Sequence, residues 1–255
     1  MLEAQQDTVI AVTGADMPLS IGKQPRARWQ TQPVKAGERI ELGYAQQGCR
    51  STYLAVAGGF QVEPMFGSTA TVVREKLGGL HGKALANGDV LPCPATAAGS
   101  ILLQQLATEH RPQYASSVTL RVIPGYQQAH FSAAQQALFF SSTYTVSEQC
   151  DRMGYRLEGQ PVQADITSML SEGICYGAIQ IPANGQPIVL LNDRQTIGGY
   201  PKIGAVLSLD IARLTQLLPG GKVHFTPISQ AEAHNALQLA AYRFAHTRLQ
   251  PVENT

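Results

Sequence analysis

A mainly β fold with a few helices is what this sequence predicts, and three observations carry it. Short apolar or alternating runs recur along the chain, each closed by glycine, proline or asparagine. The 255 residues include 24 glycines and 15 prolines, more punctuation than a helical bundle would use. Helical spacing of apolar residues is confined to a few segments of the second half.

In chain order, the strand-like runs are Thr8 to Gly14 (TVIAVTG), Glu38 to Gly43, Ser51 to Gly59, Ala70 to Glu75 and Asp89 to Cys93. Their β-branched side chains fit a pleated, half-buried surface. Pro94 to Ser117 starts rich in small residues and turns polar, so it reads as a linker, with a domain boundary near Arg111. This divides the chain into a first β unit over 1–110 and a second over 111–255 that ends in a helix. Val118 to Gly125 follows as a strand and Gln128 to Ser142 as a helix. Further strands are expected at Gly177 to Pro182 and Pro187 to Asn192. Asp210 to Phe225 reads as a short helix, a glycine turn and a strand. Ser229 to Leu249 is a helix with Ser229 as its cap, in which Tyr242 and Phe244 are packing groups. A weak echo between Lys83–Cys93, Thr215–Phe225 and Val34–Leu42 suggests related halves.

Composition narrows the function classes. Nineteen Lys and Arg against 18 Asp and Glu leave no overall field toward nucleic acid or an anionic membrane. The four cysteines, Cys49, Cys93, Cys150 and Cys175, form no Cys-x-x-Cys pair, so reduced, partly buried thiols are expected rather than disulfides or a metal site. The N-terminus has no leader pattern and no apolar run approaches membrane length, which predicts a cytoplasmic protein.

Motif by motif, common chemistries drop out. Leu77 to Ala84 (LGGLHGKA) has a Gly-Lys pair, but Leu77 stands where a phosphate loop needs its first glycine and Ala84 where it needs a hydroxyl. No dinucleotide glycine fingerprint, nucleophile elbow or paired-histidine zinc helix occurs, and the six histidines are scattered. What remains is polar density between Ser147 and Gly204. Asp151, Arg152 and Arg156 surround a glycine. Gln180 and Gln186 flank an IPANG turn, and if that turn makes a hairpin their side chains could converge. Asp193, Gln195, Thr196, Tyr200 and Lys202 crowd one glycine-rich loop. A guanidinium fork suits a carboxylate and amide side chains suit an amide or lactam. A lysine beside an aspartate can carry a proton or steady a developing oxyanion. The same residues also admit a structural reading, with Asp193 and Arg194 as a turn ion pair, Gly198 and Gly199 as a bend, and Lys202 solvated.

Three blocks in register carry a family resemblance: CRSTYLAVAGGFQVEPMFGSTATVVREKLGGLHGKALANGDVL, SSTYTVSEQCDRMGYRLEG and SEGICYGAIQIPANGQPIVLLNDRQTIGGYPKIGAVLSLDIARLTQLLPGGKVHF. Together they resemble the biotin-dependent carboxyltransferase family, also called allophanate hydrolase subunit 2, over about Thr8 to Phe225. The resemblance implies a cyclophilin-like β-barrel fold in two related barrel units, and a partner from the subunit 1 (B-type) family. It implies a member of a 5-oxoprolinase complex that uses ATP to open 5-oxoproline to glutamate, with ATP consumed by the complex and not by a phosphate loop in this chain. The family's other members imply two alternatives: a regulatory module that sequesters a subunit 1 homologue, as antagonists of a sporulation-kinase inhibitor do, and the carboxyltransferase half of an enzyme acting on urea or a related amide. Biotin stays unassigned, because no Ala-Met-Lys-Met carrier motif is present and the chain would at most receive carboxybiotin from elsewhere. Carried over by motif, Asp193 and Lys202 are the catalytic candidates, and Asp151, Arg152, Arg156, Gln180, Gln186, Gln195 and Thr196 the substrate-binding ones, with no metal ligands. The family's usual first segment, with its QDLGRxGY-like and GxxxSGAMD-like motifs, has no counterpart before Thr8, so the first unit is expected to be N-terminally shortened.

Overall fold

The computed structural model describes residues 1–45, 51–95, 101–166 and 169–252. The chain divides into two compact units. One comprises Met1–Ala45, Thr52–Pro112 and the chain from Arg248 on, and the body of the other is Gln113–Thr247.

In the first unit lie β1 (Leu2–Glu3), β2 (Thr8–Gly14), β3 (Leu19–Ile21), β4 (Gln24–Arg26), β5 (Thr31–Val34), β6 (Arg39–Leu42), β7 (Thr52–Val56) and β8 (Gln104–Leu106). Seven of them form two antiparallel sheets, in the orders β1-β6-β3-β4 and β5-β2-β7. Alternation decides what each strand buries. Ile10, Val12 and Val34 from one sheet share a core with Leu19, Ile21 and Ile40 from the other. The described strands of this unit thus form a pair of facing sheets.

Two expected strands of this unit do not form. Ala70 to Glu75 becomes a 3-10 turn at Val73–Glu75 ending on Lys76 at φ 55°. The chain doubles back there so closely that a Cβ on Gly78 would sit 2.2 Å from the Ala70 carbonyl, leaving no room for a partner strand. Asp89 to Cys93 is irregular, because the Asp89 carboxylate accepts the Ala86 N–H at 2.7 Å and closes a local turn in place of a ladder. Pro94 to Ser117 is not a plain linker, since it contains β8.

The second unit is a closed seven-stranded barrel. Its elements are β9 (Ser117–Pro124), α1 (Ala133–Ser141), β10 (Tyr144–Cys150), β11 (Gly154–Glu158), β12 (Glu172–Gly173), β13 (Ala178–Gln180), β14 (Ile188–Leu190), β15 (Ile197–Gly198), β16 (Lys202–Val206), α2 (Ser208–Leu214), β17 (Lys222–Pro227) and α3 (Gln230–His246). Around the barrel the order is β10-β11-β14-β13-β16-β9-β17, and only β9 and β17 run parallel. β12 and β15 pair with each other outside it. After α3, β18 (Leu249–Pro251) pairs with β8.

Alternate residues of the barrel strands, among them Leu120, Val122, Tyr144, Val146, Leu157, Ile179, Val189, Ile203 and Phe225, join one buried cluster with Phe131, Phe139, Ile211 and Leu214. The Phe139 ring of α1 stacks on Phe225 with centroids 4.5 Å apart. At the start of α2 the buried Asp210 carboxylate accepts from the Arg121 backbone N–H at 2.8 Å and from its guanidinium at 2.7 and 2.9 Å.

The helix expected over Gln128 to Ser142 is split. A 3-10 turn covers Tyr126–His130, and α1 starts afresh where the Ser132 hydroxyl accepts the Gln135 N–H. α3 has the expected cap, with Ser229 and Glu232 forming a reciprocal capping box. Its Tyr242 and Phe244, expected to pack, are exposed, because only Ala233 of this helix reaches the interior. Of the cysteines, Cys150 is buried, Cys93 half-buried and Cys175 exposed; all three are free thiols, and Cys49 lies outside the described residues. Among the described residues, no helix is long and apolar enough to cross a membrane.

Replacing Phe139 by Ala removes the ring that joins α1 to β17. We expect a loss of about 3–5 kcal/mol, the usual cost of emptying a buried aromatic site, read from denaturant unfolding.

Candidate functional site

Because inward and outward side chains alternate, the outward ones of β11, β14, β13 and β16 form a lateral row. Arg156 lies opposite Ile188, Ile188 opposite Gln180, and Gln180 opposite Lys202. Paired strands are ~4.8 Å apart, so three residues with site chemistry stand within three strand spacings on the outer face of the barrel. A cavity of about 430 Å³ opens over this face. Arg156, Gln180, Gln195 and Tyr200 line it together with Glu148 to Asp151 of the adjoining strand and turn. It lies within the size range of small-molecule sites.

β10 makes room for the cavity. Its register with β11 slips between Val146 and Cys150, so Ser147 to Gln149 bow away from the neighbouring strand. A second cavity of about 420 Å³ shares Glu148, Gln149, Arg156 and Ile188 with the first and continues toward Asn184 and Gln186.

Gln180 is 1% exposed, and its Nε2 has no hydrogen-bond partner among the described residues. Its Oε1 accepts from Gln195 Nε2 at 3.4 Å. Gly198 of β15 lies so close that a Cβ there would come 3.0 Å from Gln180 Nε2 and 2.6 Å from Ile174 Cδ1. A buried amide donor without an acceptor is costly and uncommon, and it marks a place where a ligand carbonyl or carboxylate would be welcome. Arg156, exposed on the same cavity, has no ion-pair partner among the described residues.

The other expected residues take different places. Arg152 grips Asp193 with two hydrogen bonds, Nε to Oδ2 at 2.8 Å and Nη2 to Oδ1 at 3.0 Å, fastening the Asp193 loop to the turn after β10. Asp151 lines the cavity, but its Oδ1 caps that turn by accepting the Met153 and Gly154 N–H groups. Gln186 spends both ends of its amide on the backbone of Gly159, at 2.9 and 3.2 Å. The β13–β14 hairpin does form, yet Gln180 and Gln186 face different cavities. Thr196 accepts the Ile174 N–H through its carbonyl while its side chain is exposed.

Lys202 and Asp193 are not brought together. The Lys202 side chain is 10% exposed, and its ammonium donates instead to Glu172 of β12, which also accepts from the Tyr126 hydroxyl and the Gln127 side-chain amide. The Gln127 Oε1 in turn accepts the Lys202 backbone N–H at 2.8 Å. Lys202 holds the Glu172 carboxyl below the ordinary carboxylate range, with Tyr126 assisting, and Glu172 pushes the Tyr126 phenol up. Glu172, Gln127 and Tyr126 were not among the residues singled out from sequence. Only the close packing of three distant segments, at 126–127, 172 and 202, joins them to Lys202, and no local spacing announces it.

Arg194, next to Asp193, forms no turn ion pair with it. Its guanidinium donates to the carbonyls of Ile174 and Leu191, both at 3.1 Å, and lies over the Tyr176 ring at 5.9 Å. The glycine-rich loop is thus fastened at its start, at Asp193 and Arg194, and walls the cavity through Gln195 and Tyr200.

A closed barrel with a polar cleft on its outer wall, in one chain with a unit of facing sheets, defines the class. The chain belongs to the family described as carboxyltransferase domain, subdomain A and B, whose model matches residues 1–227. It is 39% identical to the C subunit of 5-oxoprolinase from Escherichia coli (strain K12) over 241 residues, which is 93% of this chain and 75% of that protein. It is 34% identical to the C subunit of 5-oxoprolinase from Haemophilus influenzae over 233 residues, 91% of this chain and 73% of the relative. Among solved structures, the K. lactis urea amidolyase superposes with a TM-score of 0.87 at 22% identity, over 99% of this chain and 16% of that one, which establishes the shared fold.

Two outcomes test this geometry. Gly198→Ala forces a methyl against Ile174 and Gln180, so we expect the β12–β15 pair to shift and the Gln195 and Gln180 side-chain amide signals to move in NMR spectra. The folded pKa of Glu172 is depressed, so its contribution to stability is present above the unfolded value of ~4.3 and lost as pH falls through the lower folded value. Denaturant unfolding across that window is expected to show a steeper acid loss in wild type than in Glu172→Gln.

Proposed function

We propose that this chain acts as the C-type subunit of an ATP-dependent 5-oxoprolinase complex, opening 5-oxoproline to glutamate together with a subunit 1 (B-type) partner. The observation that carries the reading is the pairing, in one cavity, of a buried glutamine amide with an unspent donor and a guanidinium with no ion-pair partner among the described residues. A lactam acid has these two needs. Its ring amide presents a carbonyl to Gln180 Nε2, and its carboxylate takes the fork of Arg156. The two bacterial relatives, each named as the C subunit of a 5-oxoprolinase, give the same substrate class independent support.

In this reading the ring lies along the barrel wall over Ile188, with Gln195 and Tyr200 closing one side. Lys202, next to Gln180 in the row, lines neither of the two cavities and is paired with Glu172, so its part is to hold the wall beside Gln180. Asp193, tied to Arg152, holds the loop that carries Gln195. ATP use belongs to the complex. In Leu77 to Ala84 of this chain the glycines serve tight crossings, a Cβ on Gly82 falling 2.2 Å from the Lys76 carbonyl, and no hydroxyl follows Lys83.

Reconstitution with subunit 1 and the remaining subunits, followed by ATP-dependent glutamate release from 5-oxoproline, tests the reading. Arg156→Ala and Gln180→Leu are each expected to lower kcat/KM by roughly 10–100-fold, the effect of losing one charge-assisted or buried hydrogen bond. Assembled complexes of both variants that turn over at the wild-type rate would sink it. A complex that leaves 5-oxoproline intact and carboxylates urea moves the chain to the carboxyltransferase alternative.

A further inference from the structure

We propose that Glu172 is a positioning residue of this site, holding the Lys202 ammonium and the β15 wall over Gln180 in one arrangement; the inference rests on the ligand pocket proposed above.

An ammonium on a side chain that is 10% exposed needs a partner, because a desolvated charge without one is expensive. Asp193 cannot serve, since both its carboxylate oxygens are engaged by Arg152. Glu172 is the carboxylate that reaches Lys202, and it does so from outside the barrel wall. The contacts close a ring through two chain segments besides its own: ammonium to carboxylate, carboxylate to Gln127 amide, and Gln127 carbonyl to the Lys202 backbone N–H. Gln127 is itself buried, so the ring has no slack to water on that side.

The backbone of Glu172 carries the second half of the function. It pairs with Gly198, and Gly198 lies against Gln180 Nε2. Displacing Glu172 therefore releases the Lys202 charge and moves the wall that keeps the Gln180 amide dry. Tyr126, largely exposed with its hydroxyl on the same carboxylate, closes the ring toward solvent.

Two readouts on the reconstituted complex separate this role from the pocket itself. The first is acylation of Lys202 by acetic anhydride, quantified by peptide mass spectrometry. The second is 5-oxoproline binding followed by ligand-observed NMR. Glu172→Gln keeps the shape and removes the charge, and we expect Lys202 acylation to rise and 5-oxoproline affinity to fall, each by roughly tenfold. Glu172→Asp is expected to restore part of both and Glu172→Ala none, a graded rescue that a merely structural role would not give. If Glu172→Gln fails to fold, Tyr126→Phe removes one donor from the same carboxylate and is expected to shift both readouts in the same direction by a smaller factor. Lys202 acylation and ligand affinity both unchanged in Glu172→Gln overturn the proposal. If the wild-type complex binds no 5-oxoproline while Lys202 protection still depends on Glu172, the positioning of Lys202 stands and the lactam reading fails.

Discussion

Closure of the barrel in the second unit is the constraint on which the rest depends. A closed sheet has one face for the core and one for everything else, and alternation along each strand assigns every residue to one of them. Ile179, Val189 and Ile203 go inward, so Gln180, Ile188 and Lys202 must go outward. Antiparallel pairing then sets Arg156, Ile188, Gln180 and Lys202 side by side. A slip of one residue in any of these ladders would bury the polar set and expose the core, so core packing and site geometry enforce the same register.

The face so formed is finished by short segments that the barrel does not itself provide. The bulge in β10 opens the cleft, and the β12–β15 pair roofs the neighbouring part of the row. Arg194 ties the glycine-rich loop to Ile174 and Leu191, while Arg152 ties it to the turn after β10. These fasteners are partly exposed ion pairs and hydrogen bonds, each modest alone, and their value lies in fixing a loop that carries Gln195 and Tyr200. Arg152, which local sequence pattern offers to a substrate, bonds Asp193 twice and so also serves the scaffold.

Much of the architecture was legible. The alternating run Thr8 to Gly14 is β2, the Ser229 cap with Glu232 begins α3, and the Gly177 to Pro182 and Pro187 to Asn192 runs contain the hairpin β13–β14. Shorter or more polar strands escaped. β10 and β11 carry Ser147, Glu148, Gln149 and Arg156 on their outer side, and β16 begins with Lys202, so their strand character hid behind the polar residues that drew attention to them. Ala70 to Glu75 misled in the opposite direction, since β-branched residues make a strand only where a partner strand is within reach.

Sequence alone determined the mainly β class, the family, the lack of a phosphate loop and the region, Ser147 to Gly204, where the polar chemistry is concentrated. Tertiary structure decided which of those residues meet. Lys202 finds Glu172, 30 positions earlier, and not Asp193; Asp193 finds Arg152, 41 positions earlier; Gln186 closes on Gly159. The physical reason is that periodicity along a strand tells which face a residue occupies, whereas its neighbours on that face are set by register between strands distant in the chain. That register is fixed only when the barrel closes.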